Sequence, residues 1–123
     1  MLHRTTRALF ALTLPFVTVA PAPAFAHAIL LASSPAAGGT VPAGPVSLEF
    51  RYNSRVDAKR STLRLSGPGR TDEPLPIAAD APPDVLRTAA ELAPGRYTAR
   101  WQVLATDGHV TRGEVSFTVA AKP

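Results

Sequence analysis

Between its prolines this chain alternates apolar and polar residues with a period of two, and that pattern limits the folds open to it. Val46-Ser47-Leu48-Glu49-Phe50-Arg51-Tyr52 sets Val46, Leu48, Phe50 and Tyr52 on one face of an extended segment. Thr62–Ser66 repeats the alternation, then Gly67-Pro68-Gly69 breaks it. Arg96–Val103 turns Tyr97, Ala99, Trp101 and Val103 inward, and Gly113–Val119 does the same with Val115, Phe117 and Val119. Ala28–Ala32 and Val85–Ala90 read as shorter strands, and Leu75 with Ile77 as a short edge strand. Thirteen prolines leave no room for long helices, and Ser54–Ser61 is a turn at most. About seven short strands separated by turn residues predict an all-β fold, an antiparallel β-sandwich. Ser33–Pro45 and Gly67–Pro83 are expected to be loops within one domain, because neither side alone has enough strands for a core. The inward aromatics are expected to pack between two sheets.

The first 26 residues do not fit this pattern. Arg4 and Arg7 precede the apolar run Ala8–Ala20, and Ala24-Phe25-Ala26 supplies a small-x-small cleavage site. That order is expected of a secretory signal peptide over residues 1–26, cleaved after Ala26. The apolar run is shorter than the roughly 20 residues a membrane helix needs. The mature domain is then 27–123, and it is expected outside the cytoplasm. Its charge falls from +4 to +2, since Arg4 and Arg7 leave 11 basic residues against 9 acidic ones. Those basic residues are scattered without interleaved aromatics, so no nucleic-acid partner is expected.

The absence of Cys excludes a disulfide framework, a zinc ribbon, an iron–sulfur site, a thiol nucleophile and a blue-copper centre. No Gly-x-Ser-x-Gly elbow and no glycine-rich phosphate loop are present. The chemistry left rests on two histidines of the mature chain, His27 and His109. Cleavage after Ala26 makes His27 the N-terminal residue. Its α-amine (pKa about 8 in peptides) and its imidazole (about 6.5) can then chelate one metal near neutral pH. In extended backbone Asp107 and His109 point to the same side and can meet at one point. Alternatively, Asp107-Gly108 marks a turn and His109 is a plain exposed loop residue. His27, Asp107 and His109 together would make a nitrogen-rich N/O set suited to Cu(II). Zinc accepts similar donors, and the lack of thiolate with an amine chelate favours copper.

His27-Ala28, Ser34-Pro35-Ala36, Gly38, the Val46–Phe50 strand, Leu92, Gly95-Arg96-Tyr97, Trp101, Asp107-Gly108-His109, Gly113 and Phe117-Thr118-Val119 together resemble the copper resistance protein CopC family. The resemblance runs from His27 to Val119. It implies a Greek-key, cupredoxin- or immunoglobulin-like sandwich, a periplasmic copper-binding protein of copper homeostasis that is not an enzyme, and a single Cu(II) per chain. It implies ligand roles for His27 (amine and ring), Asp107 and His109. It also implies an inner-membrane partner of the CopD type, with the chain itself expected to be a monomer. Some family members carry a Glu after the second strand, where this chain has Tyr52, Asn53 and Ser54. Some carry a Met-rich Cu(I) loop, whereas the single Met here is Met1. A Cu(II)-only member is therefore expected. A different function class, a copper-dependent oxidative enzyme built on an N-terminal histidine chelate, needs an open coordination position. Asp107 would fill that position here. A metal-free adhesion sandwich is the third class that the strand pattern allows.

Overall fold

The computed structural model describes residues 10–20 and 27–123. Arg4, Arg7 and the Ala24-Phe25-Ala26 cleavage motif lie outside the described residues. Residues 10–20 carry no regular secondary structure, and Phe10, Leu12, Leu14 and Phe16 stand exposed. No helix among the described residues is long and apolar enough to cross a membrane.

Eight strands follow in chain order: β1 (Leu30–Ser34), β2 (Thr40–Pro42), β3 (Gly44–Tyr52), β4 (Thr62–Gly67), β5 (Arg70–Leu75), β6 (Val85–Leu92), β7 (Gly95–Leu104) and β8 (Val110–Ala120). They form a three-stranded sheet in the order β1-β3-β6 and a five-stranded sheet in the order β2-β8-β7-β4-β5. The inward rows read from the alternation are buried as expected. Val46, Leu48, Phe50 and Tyr52 of β3 face Leu63 and Leu65 of β4, Tyr97–Val103 of β7 and Val115–Val119 of β8 in one core. That core runs from Ala28 to Val119, so a chain starting at His27 keeps all of it.

Two details differ from the sequence expectation, and the Ser54–Ser61 turn agrees with it. The Ser33–Pro45 loop contains β2, which pairs parallel to the end of β8, Thr40 opposite Thr118 and Pro42 opposite Ala120. A three-residue strand with Val41 as its one apolar side chain has no alternation to read. The edge strand β5 lies at Arg70–Leu75 rather than around Ile77, and it folds back on β4 through Gly69. Its side chains are mostly polar because one edge of the sheet faces solvent. The Ser54–Ser61 segment holds a single 3-10 turn, Ala58–Arg60, capped by the Asp57 carboxylate.

Gly113 marks a close approach. A Cβ built there would lie 2.4 Å from Trp101 Cζ2, because the indole lies across the Gly113 backbone. Gly113→Ala is therefore expected to destabilise the domain by about 1–3 kcal/mol through overpacking. Denaturant unfolding followed by tryptophan fluorescence checks this, and an unchanged midpoint would contradict it.

Candidate metal centre

The hairpin joining β7 to β8 carries two of the three residues singled out by sequence. Gly108 N–H donates to the Ala105 carbonyl at 3.0 Å, and Ala105 N–H donates to the His109 carbonyl at 2.9 Å. Gly108 has φ +86°, a conformation in which a Cβ is strained, so glycine is the natural residue at this tip. The segment is thus a tight turn and not the extended backbone from which the Asp-x-His spacing was argued. The two side chains meet nevertheless. Asp107 turns back on its own loop: Oδ1 accepts the His109 backbone N–H at 3.0 Å, and Oδ2 lies 2.7 Å from His109 Nδ1. Asp and Asn commonly make such side-chain-to-backbone bonds in turns.

His27 arrives from the opposite end of the chain. It stands just before β1, and its ring meets that of His109 edge to face, with centroids 4.7 Å apart. One ligand atom from each of His27, Asp107 and His109 falls within 4.8 Å of the other two. Donors bound at about 2.0 Å lie about 2.8 Å apart when adjacent around an ion and about 4 Å apart when opposite. The Asp107–His109 separation of 2.7 Å already matches the adjacent spacing, and a His27 ring nitrogen lies within 4.8 Å of a ligand atom of each. The donor set is nitrogen and carboxylate oxygen, all on exposed residues, and it fits a small divalent ion that prefers such ligands.

The Asp107 carboxyl is held below the usual carboxylate range. The His109 backbone N–H is the main cause; desolvation opposes it as the next largest effect, and the hydrogen bond and charge of the His109 ring, then the His27 charge, lower the pKa further. The group therefore stays ionised as pH falls past the ordinary aspartate value of about 3.9. Its hydrogen bonds hold the loop above the unfolded-chain value and are lost as pH falls through the lowered native one. The His109 backbone amide resonance is expected to titrate with a midpoint below that of an unfolded aspartate. A midpoint at or above that value would overturn the hydrogen-bond assignment.

Sequence reasoning missed the residues that hold His27 in place. Thr111 Oγ1 donates to the Ala28 carbonyl at 2.9 Å. Ile29 N–H donates to Asn53 Oδ1 at 2.7 Å, and Asn53 N–H returns a bond to the Ile29 carbonyl at 3.0 Å. Asn53 thus stands near the centre as a tether of the main chain. A polar Thr111 on the otherwise inward row of β8 was the available sign. Beneath the centre the Tyr52 and Trp101 rings meet edge to face with centroids 5.3 Å apart. Burial pushes the Tyr52 phenol well above its ordinary pKa, so it stays neutral.

Comparison with known proteins shows the family of the chain. The CopC domain matches residues 30–120, a span that contains Asp107 and His109 and starts just after His27. Protein YobA of Escherichia coli K12 is 31% identical over 120 residues, covering 94% of this chain and 97% of that protein. Copper resistance protein C of Xanthomonas campestris pv. juglandis is 31% identical over 111 residues, covering 83% of this chain and 87% of that protein. The crystal structure of CopC from Methylosinus trichosporium OB3b superimposes with a TM-score of 0.69 at 29% identity, covering 79% of this chain and 97% of that one. With the family domain spanning both sheets and relatives matching nearly end to end, this chain belongs to the CopC family.

Proposed function

We propose that the mature protein begins at His27 and acts in the periplasm as a carrier or buffer of Cu(II) in copper resistance, one ion per chain. The observation that carries this reading is the convergence of His27, Asp107 and His109 from the two ends of the chain onto one exposed point. Exposure suits a protein that must pass its ion on, because a buried site would hold the ion behind its own side chains. An inner-membrane partner of the CopD type would receive or supply the ion, and the chain works as a monomer without catalysing a reaction.

The mature chain contains no sulfur, since Cys is absent and the one Met is Met1. Cu(II) is therefore expected to bind far more tightly than Cu(I), which favours thiolate and thioether ligands. Reduction with ascorbate should transfer copper to a Cu(I) chelator, and retention of Cu(I) by the protein would contradict the ligand set. The test of the function as a whole is mass spectrometry of the secreted protein's N-terminus followed by Cu(II) titration of the same material. A mature terminus at His27 and one tight equivalent are expected. Processing elsewhere, or no tight equivalent, would sink the proposal.

A further inference from the structure

The residues after His27 lie ahead of the β1 ladder, whose first pair is Leu30 with Tyr52. Terminal residues outside a ladder fray unless something ties them down. Here three hydrogen bonds do so within two residues of His27, and they come from two different sheets. Asn53 closes a two-bond ring with Ile29, at 2.7 Å through its side chain and 3.0 Å through its backbone. Asn53 follows β3 of the three-stranded sheet. Thr111 reaches across from β8 of the five-stranded sheet to the Ala28 carbonyl at 2.9 Å. The peptide units on both sides of Ile29 are thereby fixed, and the short lead from there to residue 27 ends at the β7–β8 hairpin, where the His27 and His109 rings meet.

We infer that Asn53 and Thr111 are positioning residues of the metal centre: they pre-set the N-terminus so that the amine and ring of His27 need not be ordered when Cu(II) binds. The inference rests on the proposed Cu(II) function and adds to it two residues that touch no ligand atom. Binding that must first order a chain segment loses affinity by the cost of that ordering. A neutral hydrogen bond contributes about 1 kcal/mol net, which corresponds to roughly fivefold in affinity for each bond removed.

The test uses the mature protein with Thr111→Val, Thr111→Ser, Asn53→Ala, Asn53→Asp and the Thr111→Val/Asn53→Ala pair, titrated with Cu(II) against a competing chelator. Thr111→Val and Asn53→Ala should each weaken binding roughly fivefold and the pair roughly 25-fold. Thr111→Ser and Asn53→Asp keep the hydroxyl donor and the carbonyl-like acceptor, and they should restore most of the affinity. Ser33→Ala is the control, because it removes a β1 side-chain bond to the Pro35 carbonyl on the far side of the strand. It should leave affinity unchanged.

Two readouts separate positioning from general loosening. Hydrogen exchange at the Ile29 amide should accelerate in the Asn53→Ala protein while core amides such as Val103 and Phe117 hold their protection. Electron paramagnetic resonance of the paired variant should show a second Cu(II) species like that of the free peptide His-Ala-Ile. A wild-type protein that binds Cu(II) no more tightly than that peptide overturns the Cu(II) function and this inference with it. Tight wild-type binding with unchanged affinity in the Val, Ala and paired variants overturns the positioning role alone. Loss of affinity in Thr111→Ser and Asn53→Asp equal to that in Val and Ala would also overturn it.

Discussion

One extra residue ahead of His27 is expected to weaken Cu(II) binding by more than about 100-fold, since changes to groups that merely support a ligand already cost 10–100-fold. The added residue turns the α-amine into an amide, which has no basic lone pair. The ring of His27 remains, but the chelate that pairs it with the amine is gone. Nothing in the fold should change, because the core begins at Ala28 and residues 10–20 pack against none of it. The extended and authentic forms should therefore unfold at the same temperature without metal and differ only when Cu(II) is present. Competition titration of both forms decides the matter. Equal affinities would remove the amine from the site and leave cleavage without a role in binding.

His109→Ala should cost a similar amount, about 100-fold or more, and more than Asp107→Ala, for which about tenfold is expected. His109 offers a nitrogen donor that water replaces poorly, whereas a carboxylate oxygen can be partly replaced by water. Asp107 has a second task in this structure. Its Oδ1 holds the His109 backbone and its Oδ2 faces the ring, so its loss also frees the imidazole to rotate. The two effects are therefore expected to be less than additive in a double-mutant cycle. The hairpin should survive both changes, because main-chain bonds from Gly108 to Ala105 and from Ala105 to His109 close it without either side chain. Unaltered affinity and an unaltered nitrogen hyperfine pattern in His109→Ala would show that the ion binds elsewhere.

Most of the sandwich was legible because burial on one face writes a period of two into β3, β4, β7 and β8. Val46 to Tyr52 and Tyr97 to Val103 needed nothing more. The elements that escaped are those whose side chains show no regular alternation. Strand β2 is fixed by parallel pairing with Thr118–Ala120 and by Gly38 N–H on the Ser116 carbonyl, and neither interaction leaves a trace in side-chain order. Strand β5 is polar and bends at Asp72, whose φ of +45° interrupts any regular pattern. The candidate centre was legible for a chemical reason, since residues 27–123 offer only two histidines, one of them two residues after an aspartate. Two backbone routes from Asp107 to His109 were open in the sequence, an extended strand and an Asp107-Gly108 turn, because spacing alone cannot separate them; the turn is the one present. Asn53 and Thr111 act on peptide groups of a segment distant in sequence, so the topology was needed to show what they hold, although polar Thr111 on the inward row of β8 was a sign in the sequence.

The two parts of the centre belong to opposite sheets: His27 leads into β1 of the three-stranded sheet, and Asp107 with His109 caps the β7–β8 hairpin of the five-stranded one. An ion held by all three would join the layers at their open end and close a loop of about 80 residues. In the chain-entropy treatment of cross-links, a covalent closure of that length restrains the unfolded chain by about 4–5 kcal/mol. Extracellular sandwiches often carry a disulfide between their sheets, and this chain has no Cys with which to make one. The cargo would then serve as the cross-link. A ligand that binds the folded state alone raises its stability with concentration, so the metal-loaded protein would resist proteolysis and the empty one would be cleared first, tying the abundance of the protein to the supply of the metal.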